Sequence, residues 1–257
     1  MFDEGSGPPI VVVQPLQGRW EWTRPLLRGL ARTNRVISYS LCGDLGSRRK
    51  ADGGFDDYIA QLRDVMDAAG VRETALFGIS FGGTVATHFA AEFPDRVTSL
   101  VIASSPGPGW KANAVQAGYV TRPWLSMPAF ALGALTRVMP EMNAAIESWT
   151  ARATFVLKYG AIVLRYPMLP HLMARRVRHM EGLDLAADCR QIHCPTLVLT
   201  GDKELDHVVP VESTKRYVGC INGARYLLME NTGHLGVLTR PQRFADVVSE
   251  FVNASHS

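Results

Sequence analysis

The 257-residue sequence predicts an α/β fold: a doubly wound, parallel sheet of about six strands with an inserted helical segment. Two observations predict it. Short, continuous apolar runs alternate with segments of helical spacing, as buried parallel strands and their crossover helices do. Polar residues able to do chemistry fall just past the ends of those runs, where open α/β sheets place their sites.

Residues 10–13 (Ile-Val-Val-Val) form the first buried run, and residues 20–31 follow with a helical pattern. Residues 35–39 are the second strand. Phe55, Tyr58, Ile59, Leu62, Val65 and Met66 then keep helical spacing. Residues 74–77 are a third strand, and residues 81–93 a helix with Val85, Phe89 and Phe93 along one face. Residues 97–103, 196–200 and 224–229 supply three more strands. Phe244, Val247, Val248, Phe251 and Val252 mark a closing amphipathic helix, with Pro241 in its first turn.

Between the third strand and its helix lies Gly78-Ile79-Ser80-Phe81-Gly82-Gly83. A serine on a tight strand-to-helix turn is held exposed and strained, with small glycines letting the backbone pack close on either side. A serine hydroxyl is a weak nucleophile at neutral pH. It needs a general base within hydrogen-bond reach, and the base needs an orienting acid. Two late segments supply both. One is Gly201 with Asp202-Lys203-Glu204-Leu205-Asp206-His207-Val208-Val209-Pro210; the other is Glu230-Asn231-Thr232-Gly233-His234-Leu235-Gly236.

These motifs, in this order, resemble the α/β-hydrolases of the Ser-His-Asp type, and the likeness covers nearly the whole chain. The segment Ala91-Glu92-Phe93-Pro94-Asp95-Arg96-Val97 resembles the family's end of the helix after the nucleophile and entry to the next strand. The resemblance implies Ser80 as nucleophile, His234 as base and Asp206 as acid, since Asp206 has the family's spacing to Pro210. Asp202 is the alternative acid. His207, His193 and His256 are read as bystanders. The resemblance also implies an oxyanion hole of two backbone N–H groups, those of Phe81 and Leu16. The chain departs from the family here: many relatives carry His-Gly where this one has Gln14-Pro15-Leu16-Gln17-Gly18, and Pro15 has no N–H to give. A second departure is Ser40-Leu41-Cys42-Gly43-Asp44-Leu45-Gly46-Ser47, which is read as structural. Family members usually begin with two strands ahead of the one at Ile10, and only nine residues are available for them here.

Residues 107–185 interrupt the strand–helix alternation with helix-like, Pro-punctuated stretches and are expected to form a cap, with residues 1–106 and 186–257 as the core. A cap excludes water and lines the substrate pocket. This one carries Trp110, Trp124, Trp149, Phe130, Phe155, Met127 and Met168, together with Arg152, Lys158, Arg165, Arg175, Arg176 and Arg178. They read as an apolar pocket with a basic rim for an anionic acyl group. Taken singly, each arginine reads as part of a solvated helical face. Leu172, Met173, Val177 and Met180 beside the basic run would also suit a membrane surface, but that reading is not preferred.

The net charge of +3 does not call for nucleic acid. No apolar run reaches membrane-spanning length, and the first residues lack a signal-peptide pattern. Cys42, Cys189, Cys194 and Cys220 lack metal-type spacing and read as buried thiols. The expectation is a cytoplasmic enzyme that hydrolyses a carboxylic ester or related acyl bond of a small molecule, with no metal or organic cofactor. Acyl transfer, hydrolysis of a carbon–carbon bond in a dienoate-like acid, and a non-catalytic ligand-binding role stay open as alternatives, as does a homodimer.

Overall fold

The computed structural model describes residues 1–256. Its strands are β1 (Phe2–Glu4), β2 (Pro9–Val13), β3 (Arg35–Ser38), β4 (Thr74–Ile79), β5 (Val97–Ala103), β6 (Thr196–Thr200) and β7 (Arg225–Leu228). They form one sheet in the order β1-β3-β2-β4-β5-β6-β7. All neighbours are parallel except β1, which runs antiparallel to β3 with Phe2 opposite Ser38. The sheet therefore has one strand more than the sequence suggests, and is not wholly parallel. The reason is that β1 is a three-residue edge strand. Its place is fixed by pairing with β3 and by the Asp3–Arg35 ion pair at 2.8 Å, not by any periodicity of its own.

The strands are apolar on both sides because helices cover both faces. One face packs α1 (Arg24–Leu30) and the late helix α11 (Pro241–His256): Ile10 and Val12 meet Leu26, Leu27, Phe244 and Val248. The other face packs α2 (Asp56–Ala68), α3 (Phe81–Glu92), α8 (Leu185–Gln191) and α9 (Val211–Cys220): Val11 and Val13 meet Tyr58, Phe81, Phe89 and Tyr217. The alternation along β2 follows from the two-residue period of a strand. The expected helix at residues 20–31 is a 3-10 turn at Trp20–Thr23 followed by α1, which Pro25 opens at its second position.

Four helices stand between β5 and α8: α4 (Ala114–Thr121), α5 (Met127–Ala145), α6 (Trp149–Arg165) and α7 (Pro170–Met180). An Asn113–Gln116 capping box starts α4. The remaining short helix, α10 (Gly236–Thr239), follows β7 directly before α11. From β2 the chain moves outward to β3 and then crosses back to β4 on the other side. The carboxyl ends of β2 and β4 thus flank the topological switch point, where a crevice opens.

Candidate active site

Ser80 closes β4 and opens α3. Its φ of 52° and ψ of −120° lie in a region that a residue with a side chain rarely adopts. Such a conformation costs about 1–3 kcal/mol and must be imposed by the surroundings. Two features impose it. The Ser80 N–H donates to Ala103 O at 2.8 Å, tying the turn to β5. The flanking glycines let backbone approach: a Cβ on Gly82 would lie 2.1 Å from Val13 O, and one on Gly78 would lie 2.4 Å from Gly82 O.

His234 stands after β7, with its Nε2 3.1 Å from Ser80 Oγ and its Nδ1 3.4 Å from Asp206 Oδ2. Asp206 is buried, and its other oxygen accepts the N–H groups of Val208 and Val209, each at 3.0 Å. Those two bonds fix the carboxylate and leave Oδ2 for the imidazole. Asp202 faces elsewhere: its Oδ2 accepts the Asn231 N–H at 2.6 Å, bracing the histidine loop from outside. His207, His193 and His256 are exposed. Burial pushes the His234 pKa down, but the Asp206 carboxylate outweighs it by charge and hydrogen bond, with help from Glu141, so the net shift is upward. The arrangement can move a proton from Ser80 Oγ onto Nε2 and hold the resulting imidazolium against Asp206.

The loop after β2 lies against the start of α3, as the Gly82–Val13 approach shows. Gln14 is fully buried there. Its Nε2 donates to Ser38 Oγ at 2.7 Å and its Oε1 accepts from Thr23 Oγ1 at 2.9 Å, so its side chain braces the loop. Among the described residues, neither the Leu16 nor the Phe81 N–H has a hydrogen-bond partner. Sequence reasoning missed what holds Leu16 in place. Its carbonyl accepts from Arg176 of α7 at 2.6 Å, and Arg176 also donates to Cys42 O at 3.2 Å and to Asp44. Arg176 and Asp44 are each 1% exposed. Arg176 is thus no part of a solvated face, and Asp44 in the divergent 40–47 segment is its partner. No local signal in either segment announces that pairing.

The crevice over Ser80 has a volume of about 20 Å³, room for about one water, and is walled by Gln17, Trp22, Ile79, Leu235 and Leu238. Its lining contains no lysine or arginine. The expected basic rim is therefore absent from it. Trp124 and Trp149 are largely exposed, at 62% and 77%, and do not line it either; the tryptophan at the crevice is Trp22 of the core. The Phe130 side chain lies outside the described residues. A larger depression beside Asn113, Lys203, His207 and Glu212 reaches Asp206 but contains neither Ser80 nor His234. Cys42 offers no rival nucleophile, because burial pushes its thiol up to about 12. Among the described residues no cluster of His, Cys, Asp or Glu is arranged to hold a metal.

Fold and site together define the class: a doubly wound sheet on which a strand-to-helix serine turn, an aspartate loop and a histidine loop converge in the chain order serine, aspartate, histidine. Residues 8–241 match the family model described as the alpha/beta hydrolase fold, and the chain belongs to that family. Among curated proteins it is similar to 2-hydroxymuconate semialdehyde hydrolase of Pseudomonas sp. (strain CF600), at 26% identity over 98% of this chain and 89% of the relative. Among solved structures it resembles an esterase from Exiguobacterium antarcticum (TM-score 0.80, 19% identity, 98% of this chain and 94% of that one). An enol-lactonase from Burkholderia xenovorans LB400 is similar to the same degree (TM-score 0.78, 19% identity, 98% and 95%). At such identities the structural likenesses establish the fold alone. No described helix is long and apolar enough to cross a membrane.

Proposed function

We propose that this protein is a serine hydrolase that cleaves esters of a neutral, apolar acyl group. The observation that carries the reading is the row Ser80 Oγ–His234 Nε2 at 3.1 Å and His234 Nδ1–Asp206 Oδ2 at 3.4 Å. In the first step Ser80 Oγ bonds to the ester carbon as its proton passes to His234. The carbonyl electrons move onto oxygen, which the N–H groups of Phe81 and Leu16 receive; one such donor is worth about 2.7–4 kcal/mol in the transition state. Collapse expels the alcohol, which takes the proton from His234. Water then enters by the same route and releases the acid.

The inserted helices, residues 107–185, act in this reading as a cap. A hydrogen bond to one wall of the crevice supports that role: moving these helices would free Trp22 and widen the space beside Ser80. Trp22 Nε1 donating to Tyr166 O at 3.1 Å is one contact that such movement breaks. The apolar walls beside Ser80, from Trp22, Ile79, Leu235 and Leu238, favour an uncharged, apolar group next to the scissile bond. A second reading, hydrolysis of a carbon–carbon bond in an acidic dienoate, is favoured by the name of the semialdehyde hydrolase relative. The four free cysteines fit a reducing compartment, and we place the protein in the cytoplasm.

A panel of p-nitrophenyl esters tests the reading, with neutral acyl groups of increasing length set against carboxylate-bearing ones. Preference for neutral esters, abolished in Ser80→Ala, supports it. Turnover of a ring-cleavage dienoate with negligible esterase activity would replace it by the second reading.

A further inference from the structure

Glu141 is a buried charge with no part in the proton transfers at Ser80. It lies near the end of α5 and is 1% exposed. Glutamate is almost never so buried unless paired. Among the described residues no lysine or arginine pairs with it. Its partners belong to the histidine loop: Oε2 accepts the Leu235 N–H at 2.9 Å, and Oε1 accepts the Thr239 hydroxyl at 3.2 Å. On the other side of the histidine, Gly233 leaves the approach open. A Cβ there would stand 2.8 Å from Glu141 Oε2 and 2.3 Å from Leu205 O. The same segment is fastened to α5 a second time, by Arg240 donating to Ala145 O at 3.1 Å and Ala144 O at 3.4 Å.

We propose that Glu141 is a positioning residue for His234: it holds the segment that follows the imidazole, through the Leu235 N–H and the Thr239 hydroxyl, and brings a second negative charge to it beside Asp206. The assignment rests on His234 being the base. The charged groups that face His234 are Asp206, from the loop after β6, and Glu141, from α5; among the described residues no cation opposes them. Glu141 in turn has its pKa raised by burial, an effect that the Gly233 and Leu235 N–H groups and the His234 charge oppose. Because Glu141 belongs to the inserted helices and His234 to the loop after β7, the basicity of His234 is tied to the docking of α5.

The test is the pH profile of kcat/KM for a neutral p-nitrophenyl ester, in the wild type and in Glu141→Gln. Glutamine keeps the shape. Its oxygen can still accept the Leu235 N–H, and Thr239 can turn its hydroxyl to Leu235 O, already 3.3 Å away. The expected result is a movement of the acidic limb to lower pH, because the imidazolium has lost a negative neighbour. The plateau kcat falls with it, by at most about tenfold for each pH unit the limb moves, while KM stays within about twofold. An acidic limb that does not move overturns the assignment, even if activity or melting temperature drops, since a structural prop alone gives that result. If the glutamine variant does not fold, Glu141→Asp serves in its place: it draws the charge back by one methylene and moves the limb the same way by less. An unmoved limb again overturns the assignment. A wild type whose Ser80 does not react with a fluorophosphonate removes the underlying reading, and this one with it. Reaction at Ser80 together with an unmoved limb removes the Glu141 assignment alone.

Discussion

Replacing Arg176 by methionine should strand a buried carboxylate. Arg176 and Asp44 are each 1% exposed, and the guanidinium also serves Leu16 O and Cys42 O. Methionine keeps most of the apolar stem but leaves Asp44 without its counter-charge. Removing one partner of a buried ion pair costs about 3–5 kcal/mol. The two lost carbonyl bonds, each worth about 0.5–1.5 kcal/mol, place the expectation toward the upper end of that range. This is a large share of the stability of an ordinary domain, about 5–15 kcal/mol. Burial already pushes the Asp44 carboxyl pKa up, and Arg176, with a smaller part from Arg19, restrains it. Without Arg176 the folded protein binds that proton at higher pH than the unfolded chain does. The deficit is therefore fullest at neutral pH, where Asp44 must ionise, and shrinks as pH falls through the raised value. Urea titration of Arg176→Met at neutral and mildly acidic pH measures it. The double variant Asp44→Leu/Arg176→Met should lose less than the single one, because no charge remains to be stranded. A single-variant loss under about 1 kcal/mol, or a double variant whose losses simply add, would refute the reasoning.

Four further outcomes are expected. Asp206→Asn should lower kcat by about 10⁴-fold, since the imidazole loses the partner of its Nδ1, while Asp202→Asn, which loses only a loop contact, should stay within about tenfold; steady-state kinetics separate them. The acidic limb of kcat/KM should lie above histidine's ordinary value of 6.5, because Asp206 and Glu141 outweigh the effect of burial, and activity is lost as pH falls through it. The sign for stability is opposite: the ion pair of protonated His234 contributes most at low pH and fades as pH rises through the same value, so a neutral replacement should be most destabilising in acid. Gly82→Ala should abolish esterase activity and lower the melting temperature, because its Cβ would stand 2.1 Å from Val13 O, which is backbone and cannot swing aside; wild-type behaviour in thermal melts and turnover would contradict the packing described for the turn.

Ser80, Asp206 and His234 are legible in the sequence because each sits at the end of an apolar run and carries its own local signal: flanking glycines, the spacing to Pro210, or a preceding glycine. The strand–helix alternation reads out the sheet for the same reason. What escaped has no local signal. β1 is three residues long with two acidic members, and only its register against β3 makes it a strand. Arg176 and Glu141 look like ordinary charges on helices. Their burial is decided by partners 132 and 94 residues distant, Asp44 and Leu235. The tryptophans of the insertion mislead in the opposite way, since large apolar side chains suggest a pocket that Trp124 and Trp149 do not line.

The central claim is that Ser80 is a nucleophile activated by His234, and covalent capture tests it most directly. The protein is incubated with a fluorophosphonate and digested, and the adduct is mapped by mass spectrometry, in the wild type, Ser80→Ala and His234→Ala. One adduct is expected, on Ser80, absent from Ser80→Ala and formed far more slowly in His234→Ala. A wild type that stays unlabelled at Ser80, or a Ser80→Ala variant that keeps its esterase turnover, would contradict the claim.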